Sequence, residues 1–224
     1  MLNGDTVFLF DVDNTLLDND RFGADLGKRL ESDFGLEARH RYFSIFEDLR
    51  VKFGFADYLG SLQAFRAGLD DDPRLLGMSD FLLEYQFSNL LFPQALQAIG
   101  HTRTLGRPVI LSDGDVVFQP RKIKHAGIWS AVDGAVLIYI HKEKVLDHVQ
   151  RRYPASHYVV VDDKPNLLAS MKIQLGARLT TVFVRQGHYA LAPGSNSVQP
   201  PADHVIERIG EMLNFQSTDF EVRP

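Results

Sequence analysis

The chain has 224 residues, 45% of them hydrophobic and 24% charged, with a net charge of −5; it is long enough to bury a core and has no basic field for nucleic acid or anionic lipid. The absence of cysteine excludes disulfides, a thiolate nucleophile and a thiolate metal site, and the eight histidines show no metal-finger spacing. No run approaches the ~18 apolar residues of a spanning helix and nothing near Met1 has the form of a signal segment, so a soluble cytoplasmic protein is expected.

Taken in chain order, "TVFLF" (6–10) reads as a buried strand, and it runs straight into Asp11 and Asp13. The interval 18–91 holds no convincing strand. Phe22, Leu26, Leu30 and Phe34 form one helical stripe; Phe43, Phe46, Leu49 and Phe53 a second; Leu59, Leu62 and Phe65 a third, with a fourth apolar segment in "MSDFLLEYQFSNLLF". Gly54, "AGLDDDP" and Gly77 are expected to be loops or helix ends. After Pro93 come four more β-branched runs, "PVILS" (108–112), "AVLIYI" (135–140), "YVVVD" (158–162) and "TTVFV" (180–184). Continuous rather than alternating hydrophobicity indicates strands covered on both faces, as in a parallel sheet flanked by helices. The intervening "DVVFQPRKIKHAG", "EKVLDHVQRRY" and "NLLASMKIQLG" fit crossover helices, and the basic run "RKIKHAG" (121–127) reads as a solvated helix face. A Pro/Gly/Ser-rich loop (191–204) precedes an expected last helix, "HVIERIGEML". The sum is a doubly wound α/β core, residues 1–17 and 92–224, with an all-α insert at 18–91.

Parallel α/β sheets bind ligands at the carboxyl ends of their strands. There the sequence places Asp11 and Asp13 after the first strand, Ser112 after the second, Lys142 just past the third, and Asp162 with Asp163 after the fourth. Any one of these has a bland reading as a cap or a solvated charge; their recurrence at one end of successive strands does not. Like charges this close are costly to ionise together, so something must compensate them.

"DVDNTL", "VILSDG", a lysine opening a helix, and "VVVDD", in that order, resemble the four motifs of the haloacid dehalogenase-like hydrolase superfamily. The resemblance covers residues 5–17 and about 92–190, and the helical insert stands where that family carries its C1 cap over a Rossmann-like core. It implies that Asp11 is a nucleophile forming an aspartyl phosphate and that Asp13 is the general acid and then base. Mg²⁺ would be held by Asp11, the carbonyl of Asp13, and Asp162 or Asp163. Ser112, with backbone N–H groups around Asp113 and Gly114 at a helix N-terminus, would bind the phosphoryl group. Lys142, with Lys144 as its rival, would neutralise charge. Thr15 would fix the turn through its hydroxyl, and Asn14 stands where many relatives have glycine. Asn166 stands where several relatives carry a further aspartate, which leaves the choice between Asp162 and Asp163 open.

Members that displace halide lack the second aspartate, so Asp13 argues for a phosphatase acting on a small phosphorylated metabolite. A phosphomutase would use the same core, a non-catalytic phospholigand-binding relative is the third reading, and a receiver domain has its acidic residues in the opposite strand order. The insert would act as a lid, with Arg21, Lys52, Tyr58 and Arg66 as candidate substrate contacts. The sequence is silent on oligomeric state.

Overall fold

The computed structural model describes residues 6–220, so the outermost residues assigned above to the α/β core, 1–5 and 221–224, lie outside the described residues. A six-stranded parallel sheet has the order β3-β2-β1-β4-β5-β6. Its strands are β1 (Thr6–Phe10), β2 (Arg107–Asp113), β3 (Val136–Tyr139), β4 (His157–Asp162), β5 (Leu179–Val184) and β6 (His204–Ile206). Every residue of β1, β4 and β5 is buried, as their unbroken apolar runs require. Edge strand β3 is only half-buried along its length.

Between β1 and β2 come α1 (Asn19–Phe34), α2 (Leu36–Phe53), α3 (Tyr58–Phe65), α4 (Arg74–Leu83) and, after a short 3₁₀ turn at Phe87–Leu90, α5 (Ala95–Thr102). Helices α6 (Phe118–His125), α7 (Ile128–Ala131), α8 (Leu146–Arg152), α9 (Pro165–Leu175) and α10 (Gly187–Leu191) follow in order. In α1 the stripe faces inward through Phe22, Leu26 and Leu30. The stripe of α2 fails at its end, where Phe53 is exposed. Gly54 ends α2 at φ +82°, a left-handed cap that glycine adopts without a Cβ penalty.

Two expectations are corrected. Gly77 lies inside α4 rather than at a helix end. The last helix expected over "HVIERIGEML" is instead the short edge strand β6 followed by a 3₁₀ stretch, Ile209–Asn214. Val205 points outward while Ile206 is buried, as in a strand, but three residues are too few to separate that alternation from the helical spacing of Val205, Ile206 and Ile209.

The chain leaves for the helical insert and returns from it side by side. Leu17 and Leu91 form an antiparallel bridge, Asp18 N–H donates to Leu90 O at 2.8 Å and Phe92 N–H to Leu16 O at 3.0 Å. Aromatic packing fastens insert to core: Phe22 of α1 has Tyr58, Tyr85, Phe87 and Phe118 rings at 5.0–5.7 Å. Because β1 lies between β2 and β4, the strand order reverses direction at β1, the position where open α/β sheets form a crevice.

Candidate active site

At that crevice Asp11 follows β1, Asp162 ends β4 and Asp163 comes next. Carboxylate oxygens of the three lie within 4.8 Å of one another, and all three residues are buried. Lys142, 1% exposed, reaches into the group from beyond β3. Its ammonium donates to Asp11 Oδ1, pairs with Asp162 Oδ2 at 2.6 Å and lies 3.3 Å from Leu111 O. Asp113 Oδ1 fixes the start of this segment by accepting from Lys142 N–H at 2.8 Å. Burial alone would lower the Lys142 ammonium, but Asp11, Asp162 and Asp113 outweigh it and hold it above its ordinary range. Lys144 is exposed, so Lys142 is the lysine brought to the cluster.

Asp162 and Asp163 are in different situations. Asp162 Oδ1 accepts from Lys164 N–H at 2.9 Å and its other oxygen faces Lys142. Neither oxygen of Asp163 has a hydrogen-bond partner, nor does Asp11 Oδ2. Burial first, then Asp162 and Asp11, pushes the Asp163 carboxyl up to about 9. Orphaned, buried, hard oxygen donors converging from three residues are what a divalent cation satisfies, and the residues present fit one. Asn166 is exposed and takes no part.

Asp13 lies above this group at the floor of a cleft of about 740 Å³ between insert and core. Its Oδ1 accepts from Lys122 Nζ at 2.7 Å and its Oδ2 from Gln119 Nε2 at 3.2 Å. Lys122 is 1% exposed and also donates to Asn19 Oδ1 of α1 at 2.9 Å. The reading of 121–127 as a solvated face is therefore wrong at Lys122. Phe118, Gln119, Lys122, Ile123 and Ala126 share the inward face of α6 and the turn after it. A lysine at an apolar-phase position was the available signal, and the charge count of the run concealed it.

Ser112 is buried; its Oγ accepts from Gln119 Nε2 at 3.0 Å and lies 3.3 Å from Asp113 O. The expected helix N-terminus behind it is not there. Helix α6 begins only at Phe118 and is capped by Asp115, whose Oδ1 accepts from Val117 and Phe118 N–H. Gly114 N–H donates to Tyr139 O at 2.9 Å. Thr15 is likewise corrected: its hydroxyl has no partner, and the turn is closed by Leu16 and Leu17 N–H donating to Val12 O. Asn14 does more than tolerate a glycine position. It sits at φ +60°, its Oδ1 accepts from Asn19 and Asp20 N–H at the start of α1, and its Nδ2 donates to Asp20 Oδ1 at 2.9 Å. Asp20 in turn holds His188, with Nδ1 to Oδ1 at 2.6 Å. Gly187, at φ +71°, allows this approach, since a Cβ there would fall 2.4 Å from Asn14 Cβ.

The cleft walls are Phe43, Phe46, Phe55 and Tyr58 from the insert, with Asp113, Lys164, His188 and Tyr189 from the core. Of the four residues proposed from sequence as lid contacts, Tyr58 lines it. Arg21 borders a separate hollow with Asp80 and Glu84, Arg66 another with Asp70, and exposed Lys52 lies over the Phe53 ring. Lys164 had no sequence signal beyond adjacency to the aspartate pair. Its half-buried ammonium has no carboxylate within ion-pairing distance among the described residues and sits 5.1 Å from the Tyr189 ring centre. Burial works against that charge, and Asp11 more than any other group restores it, holding Lys164 above its ordinary range.

No protein-family model matches the chain, and a search of curated proteins returns no match. Among solved structures, a haloacid dehalogenase-like hydrolase from Burkholderia xenovorans LB400 is 54% identical, with a TM-score of 0.89 over 97% of this chain and 99% of that one. The hydrolase YfnB of Bacillus subtilis, solved bound to magnesium, is similar in fold at 14% identity and a TM-score of 0.61, over 95% of this chain and 100% of that one. The L-2-haloacid dehalogenase of Xanthobacter autotrophicus, solved with chloropropionic acid covalently bound, shares the fold at 16% identity and a TM-score of 0.60, over 93% and 96% of the two chains. The motifs, the parallel sheet with its helical insert and the 54% identity over nearly the whole chain place this protein in the haloacid dehalogenase-like hydrolase superfamily.

Proposed function

We propose that the protein is a Mg²⁺-dependent phosphatase that hydrolyses a small phosphorylated metabolite through an aspartyl phosphate on Asp11. The observation that carries this reading is the pairing of two acids in different surroundings at one crevice. Asp11 is buried beside a cation-ready group of orphaned oxygens, and Asp13 is held above it by Lys122 and Gln119 at the cleft floor.

Asp11, with Asp163, would hold the metal, while Asp162 positions Lys142 and the backbone of Lys164. Bound Mg²⁺ supplies positive charge that offsets repulsion between an anionic nucleophile and a phosphate dianion. A carboxylate oxygen of Asp11 attacks phosphorus, the ester P–O bond breaks, and protonated Asp13 gives its proton to the departing alkoxide. Asp13, now a carboxylate, takes a proton from water as that water attacks the aspartyl phosphate, which releases phosphate and restores Asp11. Lys142 holds Asp11 in place and neutralises the transferred group. Gln119 donates to Ser112 Oγ, and the hydroxyl, which donates to Asp113 O at 3.3 Å, would turn to a phosphoryl oxygen. Lys164, which has no carboxylate within ion-pairing distance among the described residues, lines the same cleft and would add a further positive charge.

A halide leaving group needs no proton, so the cation and amide that hold Asp13 in place favour phosphoryl transfer over dehalogenation. The test is hydrolysis of p-nitrophenyl phosphate with and without Mg²⁺. Wild type should turn over only with the metal, and Asp11→Asn should not turn over at all. Absence of metal-dependent turnover on every phosphorylated compound tried would leave a phospholigand-binding protein in place of an enzyme.

A further inference from the structure

The cleft carries information about the half of the substrate that departs. Its volume, about 740 Å³, far exceeds what a phosphoryl group fills and suits a leaving group of substantial size. Its large apolar residues are all aromatic: Phe43, Phe46, Phe55, Tyr58 and Tyr189, with no leucine, isoleucine, valine or methionine. Aliphatic side chains of the insert, such as Leu26, Leu30 and Leu82, are fully buried in its own interior. Phe43 and Phe55 are only half-buried, unlike the core rings of Phe22 and Phe65. Phe46 and Tyr58, which also line the cleft, are buried and lie 4.8 Å apart at an interplanar angle of 33°.

Hydrogen-bonding groups on the same wall are already engaged. Arg50 pairs with Glu47 at 2.8 Å and donates to Tyr189 Oη at 3.0 Å across the cleft, and Asn19 Oδ1 accepts from Lys122. A polyol leaving group would find few free partners there, whereas a flat ring would find matching ring faces and edges.

We infer that the cleft takes a phosphate monoester whose leaving group is a flat aromatic body seated against the half-buried rings of Phe43 and Phe55, in a cleft that Phe46 and Tyr58 also line. This rests on the phosphatase reading and narrows its substrate class. Phosphonates that cannot be hydrolysed test it without the bias that leaving-group acidity brings to rates. Calorimetric titration with Mg²⁺ present should show benzylphosphonate binding about tenfold or more tighter than methylphosphonate and 2-hydroxyethylphosphonate. Phe55 lies outside any helix or strand, and both Phe55→Ala and the volume-preserving Phe55→Leu should reduce that ratio to about threefold or less. Phe55→Trp should retain it. Equal binding of all three phosphonates, tighter binding of the hydroxyethyl compound, or an unchanged ratio in both Phe55 variants would overturn the inference while leaving the phosphatase reading intact. Failure of wild type to bind any phosphonate overturns both.

Discussion

A buried carboxylate without a partner destabilises the fold that holds it, which makes Asp163 the most informative single residue here. Both its oxygens are orphaned, and its carboxyl is pushed up to about 9 by burial and by Asp162 and Asp11. Replacing it with asparagine removes the charge penalty and the proposed metal ligand together. We therefore expect Asp163→Asn to melt higher than wild type in EDTA and to lack the rise in melting temperature that Mg²⁺ should give wild type. A variant that keeps the Mg²⁺ shift would remove Asp163 from the metal site. Lys142→Met is the opposite case: it strands Asp11 and Asp162 in the interior and should cost about 3–5 kcal/mol of unfolding free energy in denaturant titration without metal. Lys122→Met should reduce kcat on p-nitrophenyl phosphate by about 10–100-fold with little change in KM, because Asp13 loses its cation rather than the substrate losing a contact. A change confined to KM would place Lys122 with the substrate instead. At this scale the aspartates and Lys142 were readable because chemistry at strand ends repeats at fixed offsets. Gln119, Lys122 and Lys164 were not, since their importance depends on which way a helix face or a loop turns toward those ends.

Among the elements, strands β1 to β5 were legible because continuous β-branched runs have few other uses. β6 was not: its three residues, His204–Ile206, are too short to show a period. The loop after β2 is the instructive failure. A serine-aspartate-glycine run after a strand suggests an anion-binding helix start, yet Gly114 N–H is committed to Tyr139 O and Asp115 caps α6. Hydrogen-bond partners supplied by a neighbouring strand are invisible in one sequence. At the start of β4, buried His157 bonds Thr180 Oγ1 at 2.9 Å and is held below its ordinary value by burial and by Lys172, with Asp203 opposing. Its folded form thus resists a proton that the unfolded chain accepts near 6.5, so stability should fall as pH drops below that value and stop falling below the folded pKa. Melting curves between pH 7.5 and 5 should show a larger loss for wild type than for His157→Gln, and equal losses would assign the acid sensitivity elsewhere.

Across the whole molecule, the arrangement joins a rigid parallel sheet that sets the acids to a helical insert that sets the cleft. Both strands of the connection run together at 16–18 and 90–92, and Arg50, Asn19 and Asp20 of the insert bond Tyr189, Lys122 and His188 of the core. The presence and place of the insert could be read from its helical stripes; which of its residues face the cleft could not, because each stripe serves the insert's own interior first. The most direct test of the account is to find where the phosphoryl group goes. Wild type and Asp13→Asn, mixed with a phosphate monoester and Mg²⁺ and quenched in acid, should each carry one phosphoryl group on the peptide containing Asp11. The amount should be higher in the Asp13 variant when an activated ester is used, and none should form with EDTA. Turnover that proceeds with Asp11 never modified, or modification of another residue, would contradict it.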